Sequence, residues 1–74
     1  MNREELDKLI ISTLRSNQDK WYEIGHFLLS FRYGSQNEKQ IIRMRIHNAL
    51  KRMLSVELIE RRELSKYEYK WKVK

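Results

Sequence analysis

The spacing of the apolar residues changes once along this chain of 74 residues, and that change constrains the fold more than any other feature. Up to about residue 54, apolar residues recur three and four positions apart, which is the period of an amphipathic helix. In residues 67–73, aromatic or apolar residues alternate with charged ones, which is typical of a half-buried strand. A chain that is helical first and stranded last predicts an α+β fold.

Three segments carry the helical period. Residues 3–16 predict a first helix, with acids in the first turn where the helix dipole favours them. Residues 21–31 predict a short second helix, and Gly34 is expected to close it, because glycine readily takes the left-handed conformation that ends many helices. Residues 36–54 predict a long third helix with one apolar stripe.

Cap and turn signals place the remaining boundaries. Ser35 and Glu38 form a capping box, in which the Ser35 side chain covers the backbone N–H of Glu38 and the Glu38 side chain returns the bond. Strands are predicted over residues 58–64 and 67–73, with a tight turn at 65–66. Because that turn holds neither glycine nor asparagine, a loop longer by a residue or two is also compatible with the sequence. The whole chain is expected to form one domain.

Composition excludes several classes of protein. The chain has no cysteine, which removes disulfides, thiolate nucleophiles and the usual structural zinc sites. No apolar run approaches the roughly 20 residues of a membrane span, so no membrane partner is expected. His26 and His47 lie on separate predicted helices without further ligands nearby, and no phosphate-binding loop is present. We therefore expect no cofactor, no metal and no enzymatic activity. The expected location is the cytoplasm or the nucleoid.

The net charge of +6 is unevenly distributed. Residues 1–35 carry five bases and five acids, which cancel. Residues 36–56 carry five bases against Glu38 alone, and residues 57–74 carry six bases against four acids. A neutral first half and a basic second half suit a polyanionic partner.

The third helix presents a polar face without acids. If Ile46 points into the core, steps of about 100° per residue place a set of side chains on the opposite face, with Arg45 and His47 at its edges. That set is Asn37, Gln40, Ile41, Met44, Asn48, Lys51 and Arg52. A solvated helix face normally mixes both signs of charge, so the missing acids favour contact with nucleic acid over simple solvation.

Side-chain chemistry divides the candidate contacts into two groups. Amide side chains pair with adenine and methionine contacts the thymine methyl, so the base-facing candidates are Asn37, Gln40, Met44 and His47. The phosphate-facing candidates are Ser35, Lys39, Arg43, Arg45, Lys51, Lys66 and Lys70. Arg61 and Arg62 do not join this group, because neighbouring acids are close enough in sequence to pair with them.

The aromatic side of the hairpin is expected to close the core against helices 1 and 3. Its members are Tyr67, Tyr69, Trp71 and Val73. Tyr67 lies beside the hairpin tip, so it is the one aromatic residue that could instead contact a sugar or a base.

Three helices followed by a C-terminal hairpin, with a long and basic third helix, resemble the winged helix-turn-helix family over nearly the whole chain. The resemblance is one of architecture. It implies that helix 3 enters the major groove of double-stranded DNA, that the turn lies at about 32–36, and that the hairpin, or wing, touches the flanking backbone with its tip at about 64–67. A small transcription regulator is the implied function. Dimers are common in this class, and helix 1, where Ile11 lies off the core stripe, or the hairpin edge would provide the contact.

Two related families leave alternatives open. Residues 42–74 also resemble the C-terminal winged-helix domain of cullin scaffolds, through Arg45-Ile46, Leu58-Ile59-Glu60-Arg61 and Tyr69-Lys70. That resemblance implies a protein-interaction module that does not bind DNA. Asn48 and Trp71 resemble the Z-alpha type of left-handed nucleic-acid binders, but Arg52 stands where that family has tyrosine, and no proline pair precedes Trp71. RNA also remains open as a partner.

Overall fold

Residues 2–72 are described by a computed structural model, and they form three helices followed by a two-stranded antiparallel hairpin. The elements are α1 (Arg3–Ser16), α2 (Ile24–Leu28), α3 (Gln36–Ser55), β1 (Ile59–Glu63) and β2 (Tyr67–Trp71). This is the α+β layout that the sequence predicts, and it is compatible with a winged-helix architecture. The bounds of α1 agree with the prediction, and α3 extends one residue further.

The core lies between the three helices and the inner face of the hairpin. Its buried side chains are Leu6, Ile10, Leu14, Tyr22, Phe27, Leu28, Ile46, Ala49, Leu50, Met53, Ile59 and Tyr69. The stripe predicted on α3 therefore faces inward, and Tyr69 of β2 is only 1% exposed. Ile11, which the helical period places off the core stripe, is half-buried against this cluster. It consequently offers little apolar surface to a second copy.

The second helix is shorter than the predicted segment 21–31, because Tyr22 pairs with the hairpin. The Tyr22 N–H donates to the Tyr69 carbonyl at 2.7 Å, and the Tyr69 N–H donates to the Tyr22 carbonyl at 2.8 Å. These two bonds hold residue 22 in a β-bridge, so the helix begins only at Ile24. It ends at Leu28, after which the backbone N–H groups of residues 29–31 donate three residues back instead of four. As a result, β2 pairs with β1 along one edge and with Tyr22 along the other.

Side chains cap the first turns of both long helices. The Asn2 side chain accepts from the Glu5 N–H at 2.8 Å, and the Ser35 hydroxyl accepts from the Glu38 N–H at 3.2 Å. Each bond satisfies a backbone donor that has no partner within its helix. The Glu38 carboxylate accepts from the Gly34 N–H at 2.8 Å. The predicted bond from the Glu38 N–H to the Ser35 side chain is thus confirmed. The returning bond to the Glu38 side chain comes from the N–H of Gly34 instead of that of Ser35.

The left-handed residue predicted at Gly34 is found instead at the end of α3. Gly34 lies in the described part of the chain and does not have a positive φ, whereas Glu57 has φ of 61°. Here the Leu58 N–H donates to the Met53 carbonyl at 3.0 Å, and the Glu57 N–H donates to the Leu54 carbonyl at 3.1 Å. These are the two bonds of a Schellman motif, in which the position of Glu57 usually belongs to glycine.

The hairpin strands alternate between the core and the opposite face. In the antiparallel register Ile59 lies opposite Trp71 and Arg61 lies opposite Tyr69. Because side chains on a strand alternate, these four residues share one face, and that face contains the buried Ile59 and Tyr69. The residues between them face away from the core.

The observed strands are shorter than predicted, at five residues each. The connecting loop spans residues 64–66, one residue longer than the two-residue turn, and the Leu64 N–H donates to the Lys66 carbonyl at 3.1 Å within it. Tyr67 is the first residue of β2 and is 43% exposed, while Trp71 is half-buried against the core. Val73 lies outside the described residues.

Candidate nucleic-acid interface

The outer face of α3 is exposed along its length. Its exposed members are Asn37, Gln40, Ile41, Met44, Asn48 and Lys51. Met44 is 64% exposed and Ile41 is 58% exposed, although both side chains are apolar. His47 is half-buried at the edge of this face. Three of the four base-facing candidates thus stand fully on the surface, and the fourth lies beside them.

Arg52 does not belong to the outer face. Its guanidinium donates to the Asp7 carboxylate of α1 at 2.7 Å, and both side chains are about one-third exposed. Arg52 is half-buried, and this ion pair directs its side chain towards α1. The charge predicted for the outer face is therefore engaged by another helix.

The predicted phosphate contacts of α3 divide between its two flanks. Arg45 lies towards α1, where it lines a pocket together with Leu6 and Phe31. Arg43 and Lys51 lie towards the hairpin. The helix thus carries bases along both sides of its exposed face.

Two depressions beside α3, which together we call the cleft, collect bases from α3 and from the hairpin. At the hairpin tip, Arg43 of α3 and Lys66 of the loop line a depression of about 340 Å³ together with Tyr67. Further along, Lys51 of α3 and Arg61 of β1 line a second depression. We call Arg43, Lys51, Arg61 and Lys66 the cleft bases. They come from two separate elements, and only the fold brings them together.

Arg61 is the cleft residue that sequence reasoning missed. Acids next to it in sequence suggest local pairing, but its guanidinium lies over the Tyr67 ring, 4.6 Å from the ring centre. Arg61 is two residues from the buried Ile59, so the strand period directs both side chains to the face that packs on α3. The alternation of β1 is therefore the signal that identifies it.

Lys70 lies on the hairpin face that points away from the cleft. Its ammonium is 3.9 Å from the Glu60 carboxylate and 5.0 Å from the centre of the Trp21 ring. Arg62 donates to Glu68 at 2.8 Å and covers the same ring at 4.4 Å. Both bases are matched by acids of the opposite strand. The structure consequently does not bring Lys70 together with the cleft bases.

The start of α3 holds the last two phosphate candidates. The Ser35 hydroxyl oxygen accepts the capping bond from Glu38, so this residue has a structural role at the helix end. Lys39 is half-buried, with its ammonium 5.8 Å from the centre of the Tyr33 ring. An angle of about 20° from Ile46 places Lys39 on the inner side of the helix. Neither residue lines the depressions that contain the cleft bases.

One acid borders the cleft. Glu23, the residue before α2, lines the same depression as Arg43 and Lys66. Its carboxylate opposes the positive potential of that end of the cleft, because unlike charges in a shared depression partly cancel.

Within residues 2–72, no group of three histidines or acids is arranged to hold a metal ion, and none of the helices is long and apolar enough to cross a bilayer. No match to this chain was found among protein-family models, curated proteins or solved structures.

Proposed function

We propose that this chain is a winged-helix protein that binds double-stranded DNA and acts without catalysis as a small transcription regulator. The observation that carries the proposal is the cleft in which Arg43 and Lys51 of α3 meet Arg61 and Lys66 of the hairpin. This cleft runs beside an exposed helix face that has no acid.

The dimensions of α3 suit the major groove. Its 20 residues span about 30 Å, whereas the groove of B-DNA is about 12 Å wide, so only part of the helix enters. In the proposed arrangement the middle of α3 faces the bases, through Gln40, Met44 and His47, with Asn37 one turn earlier. Amide, thioether and imidazole groups supply both polar and apolar contacts to base edges.

The cleft bases are proposed to follow one phosphate backbone. Arg43 and Lys51 are eight residues apart, which separates them by about 12 Å along the helix axis. On the wing, Arg61 lies in β1 and Lys66 lies in the loop at the tip. Arg45, on the other flank of α3, is proposed to contact the backbone across the groove. Phosphate contacts of this kind orient a protein on the duplex and make its affinity salt-dependent.

The decisive experiment measures fluorescence anisotropy of a labelled random-sequence duplex at two salt concentrations. The proposal expects micromolar binding at low salt that weakens steeply as salt rises. The double variant Arg43→Gln/Lys66→Gln should lower the slope of log K against log salt by about 0.9 for each phosphate that is no longer neutralised. The control Lys8→Gln/Lys20→Gln removes the same charge from exposed positions outside the cleft and should leave the slope nearly unchanged.

Three results would contradict the proposal. Absence of binding at low salt would remove the nucleic-acid function altogether. Equal reduction of the slope in the cleft variant and the control would mean general charge attraction without a defined interface. Tight binding to duplex RNA would also exclude the major-groove arrangement, because the A-form major groove is too deep and narrow for side chains to read.

A protein-interaction module is the second candidate. It is favoured by large apolar side chains on the surface, with Leu29 83% exposed and Ile41 and Met44 more than half exposed. Exposed apolar patches commonly mark contacts with other proteins. Because Ile41 and Met44 are three residues apart, they lie side by side on α3. Lack of binding to DNA and RNA at low salt would favour this function over the first.

A further inference from the structure

A pocket of about 260 Å³ opens on the flank of α3 opposite the hairpin. It lies where α1, the segment after α2 and α3 meet. Its lining residues are Leu6, Ser30, Phe31, Arg32, Ile42 and Arg45. We call it the α1–α3 pocket. Its position separates it from the cleft bases, which lie on the other flank.

The lining of the α1–α3 pocket is apolar on one side and basic on the other. Leu6 is nearly fully buried, and Phe31 and Ile42 are half-buried against the core, so these side chains form a fixed hydrocarbon surface. Arg32 and Arg45 are exposed and line the same pocket. Among the described residues that line it, none is acidic.

This combination specifies the chemistry of a ligand. A guanidinium offers planar, paired donors that match a carboxylate, and the Ser30 hydroxyl adds another donor. The apolar side gains free energy only from a ligand that buries hydrocarbon against it. Sugars and inorganic anions lack that hydrocarbon. The matching ligand therefore has one carboxylate attached to an apolar body.

The volume limits the size of that body. Pockets for drug-sized molecules begin at about 300 Å³, so this pocket is slightly smaller than that class. One or two fused rings, or a short aliphatic chain, fit such a space. We propose that the α1–α3 pocket binds a small amphipathic monocarboxylate of this size. The proposal does not depend on nucleic-acid binding.

The test is a titration of the full chain with 2-naphthoate, followed by the backbone amide shifts of the isotope-labelled protein. Saturable shifts are expected at residues 30–32, 42 and 45. The uncharged analogue 2-naphthalenemethanol should bind about three- to tenfold more weakly, because it lacks the charge that pairs with the guanidinium groups. Acetate, which lacks the apolar body, should cause no saturable shift there.

Variants assign the carboxylate contact. Arg32→Gln should weaken naphthoate binding by about three- to tenfold, since Arg32 is exposed and its replacement does not disturb the core. Lys8→Gln removes the same charge from a part of α1 outside the pocket and should leave affinity unchanged. Unchanged melting temperatures of both variants show that the fold is intact.

Several outcomes would overturn the proposal. These are shifts that stay linear, shifts centred elsewhere, or equal affinities of Arg32→Gln and the unaltered chain. If the same pocket amides shift when the protein concentration alone is raised, the pocket binds a second copy of this chain. That result would contradict binding of a small carboxylate.

Discussion

Asp7 of α1 and Arg52 of α3 form an ion pair of 2.7 Å that ties the first helix to the end of the third. The pair withdraws one arginine from the basic surface of α3. Because both side chains are about one-third exposed, water screens the interaction and limits its contribution to stability. Its main effect is on the distribution of charge.

The first prediction concerns this pair. Asp7→Asn should lower the free energy of unfolding by less than about 1 kcal/mol, measured by urea denaturation. It should also raise affinity for random-sequence duplex by about two- to fivefold at low salt, because Arg52 becomes available to phosphate. Glu4→Gln changes the net charge equally at an exposed position of α1. If Glu4→Gln gives the same gain, net charge explains the effect and release of Arg52 does not.

The second prediction separates selectivity from charge. Gln40→Ala should weaken binding to a preferred site, selected from a random library, by about 1–3 kcal/mol and should leave random-sequence binding unchanged. Lys51→Gln should weaken both alike, because a phosphate contact carries no sequence information. Both are measured by anisotropy at one salt concentration. Equal losses of Gln40→Ala on the two duplexes would refute the base-facing assignment.

The third prediction addresses the end of α3. Glu57 occupies a left-handed conformation at φ of 61°, which costs roughly 1 kcal/mol for a residue with a Cβ. Glu57→Gly should therefore raise the free energy of unfolding by about 1 kcal/mol, equivalent to about 4–8 °C in melting temperature. Glu57→Ala keeps the Cβ and removes the charge. A gain as large in the alanine variant would trace the effect to charge at the helix end.

The fourth prediction concerns Gly34, which the sequence suggests as the left-handed position. A Cβ built there meets the Glu38 carboxylate at 3.7 Å, which is ordinary van der Waals contact. Gly34→Ala should be neutral or should stabilise by about 0.4–1 kcal/mol through reduced freedom of the unfolded chain. Its N–H still donates to Glu38. Thermal unfolding checks this, and destabilisation above about 1 kcal/mol would show that the site needs glycine after all.

The fifth prediction follows from Tyr69. Burial raises the pKa of its phenol above the ordinary value of about 10, and the nearby charge of Arg61 offsets part of that rise. The unfolded chain therefore loses this proton at a lower pH than the folded chain. Stability should be fully present below pH 10 and should decline above it, until the folded phenol also ionises.

Denaturant titrations between pH 8 and 11 test this dependence. The interval runs from about two units below to about one unit above the pKa of a free phenol. Tyr69→Phe should show a smaller decline, whereas Tyr33→Phe, at a position 41% exposed, should follow the unaltered chain. Parallel declines in all three proteins would assign the alkaline destabilisation to other groups, such as the lysines.

The fold was predictable wherever the signal is local. The two capping residues of α3 are three positions apart, and its apolar residues recur every three or four positions. Each signal is visible within a short stretch of sequence, so the sequence alone defined that helix. The second helix was predicted to begin too early, because the segment 21–31 was read as helical from Trp21 and so included Tyr22. The partner of Tyr22 is Tyr69, far along the chain, and pairing with a distant strand overrides local preference.

The candidate site shows the same division. Exposure of Gln40 and Met44 follows from helix geometry, which a sequence displays directly. The engagement of Arg52 by Asp7, and the meeting of Lys51 with Arg61, depend on how separate elements pack. Glu60, an acid next to Arg61 in sequence, lies on the opposite face of the strand.

The bridge between Tyr22 and Tyr69 bears on how the hairpin would take part in an encounter. A hairpin tethered only at its base would sample many orientations, and docking it would cost conformational entropy. Here β2 is held on both edges, so the tip is already oriented when a partner arrives. The amide protons of Tyr22 and Tyr69 should accordingly exchange with solvent only when the helical core opens, which makes hairpin and helices one cooperative unit.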